Sequence, residues 1–204
     1  MMVLANYGTH GVEMADLEPL PRQIRIGVTG HRKLDNPAAV QALVKKAIDA
    51  EVCNPFPDDP RRKMERGPSA GTTAASLRVV SPLAEGADRV VARAVLDYAD
   101  ARLDVVLPLA LDDYLEDFVT EESRKEFKEL LGRCEIPVLL RTRRIRDECC
   151  DGRSDPGGHA EVRAELRRDA YAAAGRYVVD HCDVLIAVWD GERSRGPGGT
   201  AEIV

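Results

Sequence analysis

The 204-residue sequence has no long apolar run; stretches such as Val184 to Trp189 are strand-sized, well short of the roughly 20 residues a membrane helix needs. No membrane partner is expected. Nor is there an apolar stretch near the start that would serve as a secretory signal, because Met1 to Leu20 carries Glu13, Asp16 and Glu18. Cysteine is sparse and unpatterned. The five residues, at 53, 134, 149, 150 and 182, are odd in number, and the adjacent Cys149 and Cys150 lack the spaced partners of a structural zinc site. Free thiols in a reducing, cytoplasmic compartment follow, with no metal and no cofactor expected. No basic stripe exists: 29 Lys and Arg are interspersed with 35 Asp and Glu for a net charge of -6, so nucleic acid is not an expected partner. Ser-His-Asp order and the HExxH pattern are both missing. His10 and His159 fall in expected loops and His181 at a helix end.

What is present is a recurring strand, loop and helix. Residues 1–22 show no sustained period and end in Pro19-Leu20-Pro21, which reads as a flexible arm before one domain at 23–204. Ile24 to Val28 reads as a strand, and Ala38 to Val52 as a helix with Val40, Leu43, Val44 and Ile48 on one face. Pro55, Pro57, Pro60 and Pro68 mark 54–76 as a mobile excursion too short for a second domain. Leu77 to Val80 and the helix Ala87 to Ala99 repeat the unit. A third strand, Leu103 to Leu109, precedes a helical region from Asp112 to Leu131, and Pro137 to Arg141 reads as a fourth strand. Thr142 to Gly158 is expected as a loop, Ala160 to Val179 as a helix and Asp183 to Trp189 as the last strand. Five continuous apolar strands, most followed by helices, call for an α/β, three-layer Rossmann-like fold. Its parallel sheet of five or more strands has helices on both faces, and a chain of this length can fill that core without disulfides. Such sheets bind ligands outside the C-terminal ends of their strands, so the residues following each strand are the candidates.

After the first strand, Thr29-Gly30-His31-Arg32 combines a hydroxyl, a close-approach glycine, an imidazole and a guanidinium suited to bidentate phosphate contact; a plain turn is the alternative. Glu85-Gly86-Ala87-Asp88 opens the next helix. Its amides suit a phosphate while Glu85 or Asp88 accepts from a ribose hydroxyl, although Asp88 reads equally well as a helix cap or an ion-pair partner of Arg89. Asp190 and Gly191 follow the last strand, and Gly198-Gly199-Thr200 then offers amides and a hydroxyl at a helix start, the most specific phosphate signal in the chain. Asp112, Asp113, Glu116 and Asp117 suit either acid–base chemistry or, more simply, a solvated helix start.

With these loops in hand, the sequence resembles the SLOG superfamily, the Rossmann-like group that contains DNA-processing protein A and the LOG (Lonely Guy) phosphoribohydrolases. The matching pieces are Gly27 to Arg32, Ser81 to Arg89, Asp183 to Gly191 and Gly198 to Glu202, within a span from Ile24 to Val204. The resemblance implies a nucleotide or nucleotide-derived ligand at the sheet's C-terminal edge, bound by a sensor or signalling module. The alternative it implies is cleavage of the N-glycosidic bond of a nucleoside monophosphate, with Glu202 or Glu85 as the catalytic carboxylate. The LOG enzymes have Pro-Gly-Gly-x-Gly-Thr-x-x-Glu directly after the last strand, whereas here Glu192 to Gly196 intervenes and Glu202 stands two residues after Thr200. At the family's Arg-Lys position this chain reads Ala172-Ala173-Ala174-Gly175, which favours binding over hydrolysis. A helix opened at Thr200 has only a few residues before Val204, so the fold is expected to be cut short, with a bare sheet edge that favours a homodimer.

Overall fold

Short runs of β-branched residues, apolar on both faces, make the centre of a parallel sheet. The computed structural model describes residues 23–53, 76–140 and 156–190. The expected arm, the proline-rich excursion, most of the loop before the last helix, and Gly191, Gly198, Gly199, Thr200 and Glu202 lie outside the described residues. The strands are β1 (Gln23–Gly30), β2 (Ser76–Ser81), β3 (Arg102–Leu107), β4 (Val138–Leu139) and β5 (Val184–Val188). They form one five-stranded sheet in the order β4-β3-β2-β1-β5, and every pairing is parallel. The chain thus steps outward from β1 to β4 and then returns to the other side of β1. This reversal places the topological switch point between β1 and β5, where open α/β sheets commonly hold ligands.

Register separates the two faces. Ile26 aligns with Val79 and Val79 with Leu103, and this face carries the larger core, closed by Val44 and Ile48, by Val91 and Val95, and by Phe127 and Leu130. Those residues come from α1 (Pro37–Ala47) with its π-helical extension Ile48–Cys53, from α2 (Ala87–Leu96) and from α4 (Glu121–Leu131). On the opposite face Val80 and Val106 pack against Ala174 and Val178 of α5 (Pro156–Asp180). Helices therefore cover both faces, as the apolar runs required, and among the described residues none is long and apolar enough to cross a membrane.

Element boundaries differ from the sequence expectations where local hydrogen bonds override periodicity. The region from Asp112 to Leu131 is two helices, α3 (Leu111–Leu115) and α4, because the Thr120 hydroxyl accepts from the Ser123 amide at 3.1 Å and opens a second helix. α1 starts one residue early, with Pro37 in its first turn and the Asn36 side chain accepting from the Ala39 amide at 3.0 Å. α5 begins at Pro156, inside the expected loop. α2 ends at Leu96 instead of Ala99, shortly before Asp100 takes a positive φ of 58°.

Candidate functional site

The loops after β1 and β2 are interlocked at the C-terminal edge of the sheet. The Ala87 amide, first in α2, donates to the His31 carbonyl at 3.0 Å, and the His31 amide donates to the Val188 carbonyl of β5 at 3.1 Å. Two glycines make this approach feasible. Gly86 has φ 76° and ψ -117°, and a Cβ there would collide with the carbonyl oxygens of His31 and Arg32. A Cβ on Gly30 would strike the Ala87 side chain and come within 2.8 Å of the Val188 carbonyl. Sequence reasoning singled out both loops; it did not show that each glycine is there to admit the other loop.

His31 spans the switch point. Its Nε2 lies 3.1 Å from the Asp190 carboxylate and 3.3 Å from the Asp190 amide, tying the end of β1 to the end of β5. Thr29 is buried, and Arg32 is exposed with its guanidinium 5.4 Å above the Tyr171 ring. Arg32, Glu85 and Gly86 line an open cleft of about 480 Å³ with Arg93 and Ser123. Its floor includes Arg89, a residue only 3% exposed.

Arg89 organises the cleft wall. Its Nε donates to the Leu83 carbonyl at 3.2 Å, and its Nη1 donates to the Ser123 carbonyl, the Ser123 hydroxyl and Glu126 at 3.0, 2.9 and 2.8 Å. The guanidinium also lies 4.6 Å over the Phe118 ring. The Ser123 hydroxyl donates in turn to Glu85, so the β2–α2 loop is fastened to the start of α4. Burial pushes the Glu126 carboxyl up, but hydrogen bonds from Arg89 and Arg93 outweigh it and leave the group below its ordinary value.

Asp88 sits beneath the loop instead of facing the cleft. It is 5% exposed, and its Oδ2 accepts from the Ala84 amide at 3.1 Å. Burial raises its pKa to about 7, against the opposing effects of the Ala84 and Ser81 hydrogen bonds and the charges of Arg32 and Arg89. This contact braces the β2–α2 loop; no side chain caps α2, and Arg89 forms an ion pair with Glu126. Tyr114, buried beside it, donates to the Pro82 carbonyl at 3.1 Å and fixes the other end of the same loop. Burial holds the Tyr114 phenol well above its ordinary pKa.

The acidic group at α3 is not a uniform solvated face. Asp113 is buried, and Asp117 accepts from Arg167 at 2.6 Å. Burial raises the Asp117 carboxyl, Arg167 and Arg32 pull it down, and the charges of Glu116 and Glu85 add to the rise. No group of three or more His, Cys, Asp or Glu among the described residues is arranged to hold a metal ion. The sequence named Arg89 only as an ion-pair partner of Asp88 and Tyr114 only on an apolar helix face, and did not single out Ser123 or Tyr171; the fold brings these four from separate elements.

No protein-family model matches this sequence. No curated protein matches it at a significant level.

Proposed function

We propose that the chain is a SLOG-type domain that binds a nucleotide or nucleotide-derived ligand at the C-terminal edge of its sheet, as a cytoplasmic sensor or signalling module that pairs as a homodimer. The observation that carries this reading is the interlock of two glycine-bearing loops at the C-terminal edge of the sheet, beside an open cleft whose lining includes Arg32, Arg89 and Arg93 together with Glu85, Glu122 and Glu126. Gly30 and Gly86 bring the start of α2 against the end of β1, and no side chain caps that ten-residue helix. A helix start of this kind favours anions through its dipole and first-turn amides other than that of Ala87, which is bonded to His31. Arg32 is the exposed cation beside it, suited to a phosphate, and Glu85 on the same cleft is suited to ribose hydroxyls. Gly198, Gly199 and Thr200 complete the phosphate contacts in this reading.

A thermal-shift screen of the purified chain against nucleoside monophosphates, dinucleotides and cyclic nucleotides tests it, because a ligand that binds only the native state raises the melting temperature by mass action. A stabilising ligand recovered intact is the expected result. No stabilisation by any member of the panel refutes the binding reading. Free base released on incubation, and lost in Glu202→Gln, would replace the sensor with a glycosidase.

A further inference from the structure

Beyond the phosphate and ribose contacts, three polar atoms in the same region are buried without a hydrogen-bond partner: Arg89 Nη2, Asp117 Oδ2 and the Tyr171 hydroxyl; the last two lie away from the cleft lining. Such atoms are uncommon in folded proteins because each forfeits its hydration without compensation. Asp117 and Tyr171 both belong to the contact between the α3–α4 connection and α5. Asp117 is bonded through Oδ1 to Arg167, and Tyr171 follows Arg167 by four residues on α5, one helical turn away on the same face. The wall behind them is aromatic, with Tyr114 6.3 Å from Tyr171 and 5.1 Å from Phe118 between ring centroids. The front is Arg32, an exposed side chain resting on the Tyr171 ring.

We propose that Asp117 and Tyr171 are the base-reading half of the site and select a nucleobase that carries an exocyclic amino group. The inference rests on the nucleotide-binding reading above. A phosphate attracted to Arg32 lifts the guanidinium from Tyr171, and a planar base takes the vacated ring face. The amino group donates to Asp117 Oδ2, and the Tyr171 hydroxyl donates to a ring nitrogen. A base with a carbonyl in place of the amino group sets two acceptors against each other at Asp117. The desolvated carboxylate makes that mismatch more costly than it would be in water.

Arg167 provides a sharp test. In Asp117→Asn the amide oxygen stays against Arg167, since two donors cannot face each other, so the amide nitrogen occupies the place of Oδ2. An acceptor becomes a donor with almost no change in shape. Binding of AMP and IMP to the wild-type chain and to Asp117→Asn is measured by calorimetry. The wild type is expected to prefer AMP by about tenfold or more, and the variant to reverse that order. Nucleotide binding with the same AMP-to-IMP ratio in both proteins overturns the base subsite while leaving the nucleotide site in place; no binding of either nucleotide to the wild type overturns both. A second variant is read without any ligand. Tyr171→Phe removes a hydroxyl that has no partner, so the melting temperature of the free protein should hold or rise. A fall would mean the hydroxyl is used within the fold, and the subsite would be refuted.

Discussion

Replacing Gly86 with alanine perturbs the contact that builds the cleft while leaving the core untouched. At φ 76° and ψ -117° the residue occupies backbone space that is essentially reserved for glycine, which costs a side-chain-bearing residue about 1–3 kcal/mol. The new Cβ also meets the His31 and Arg32 carbonyls, so the two loops must part and the 3.0 Å bond from the Ala87 amide to the His31 carbonyl is lost. That bond contributes about 1 kcal/mol more. Together the effects predict a loss of about 2–4 kcal/mol in urea unfolding and a fall in melting temperature of about 5–15 °C. Gly132→Ala is the control, because Gly132 ends α4 with φ -64° and its Cβ would come no closer than 3.4 Å to the Lys128 carbonyl. There the substitution should be neutral or stabilising by up to about 1 kcal/mol. A Gly86→Ala protein within about 0.5 kcal/mol of wild type would refute the interlock as a structural requirement.

The remaining predictions concern the polar groups around the loops. Asp88 has a folded-state pKa raised from 3.8 to about 7, so the native state binds more protons than the unfolded chain and stability falls as pH rises from about 4 to about 7. Asp88→Asn cannot ionise and still accepts from Ala84, so its advantage over wild type in thermal melts should widen across that interval and level off above it. Parallel curves would contradict the assignment. Arg89→Ala should lose about 3–5 kcal/mol in denaturant unfolding, because it removes four hydrogen bonds and the packing on Phe118 from a nearly inaccessible site. Arg89→Lys should recover little of this, since an ammonium cannot reproduce the guanidinium fork; a fully stable lysine variant would mean that charge alone suffices.

The fold was readable where apolar runs were continuous and turn residues sharp. Ile24 to Val28 and Leu77 to Val80 lie within β1 and β2, and Val90, Val91, Ala94 and Val95 fall within α2. Periodicity failed where one hydrogen bond decided the matter. Tyr114, Leu115, Phe118, Phe127 and Leu130 fit a single helical stripe, yet Thr120 caps a new helix, and Phe118 is buried from the connecting segment. Pro156-Gly157-Gly158 reads as a loop on composition, but proline is well suited to a first helical turn, and there it opens α5. The candidate site was half legible. Loops that follow strands can be found from the local sequence, hence Gly30, His31, Arg32, Glu85 and Gly86. Arg89 with Ser123, and Asp117 with Arg167, are contacts across 34 and 50 residues, and no local pattern announces such pairs. Asp88 was open for a related reason: a carboxylate at a helix start suits a ligand, a cap or an ion pair, and its burial against the Ala84 amide depends on how the loop folds back.

The most direct measurement is a calorimetric titration of the full chain with nucleoside monophosphates, run beside Arg32→Glu. The replacement reverses the charge offered to a phosphate; it also removes the contact with Tyr171 and a positive charge near Asp88 and Asp117, so the variant melts somewhat lower and is titrated well below its own melting temperature. Saturable binding by the wild type, weakened about tenfold or more in Arg32→Glu, is the expected result. Featureless titrations with the wild type, or equal affinity in both proteins, would contradict a nucleotide site at this edge of the sheet.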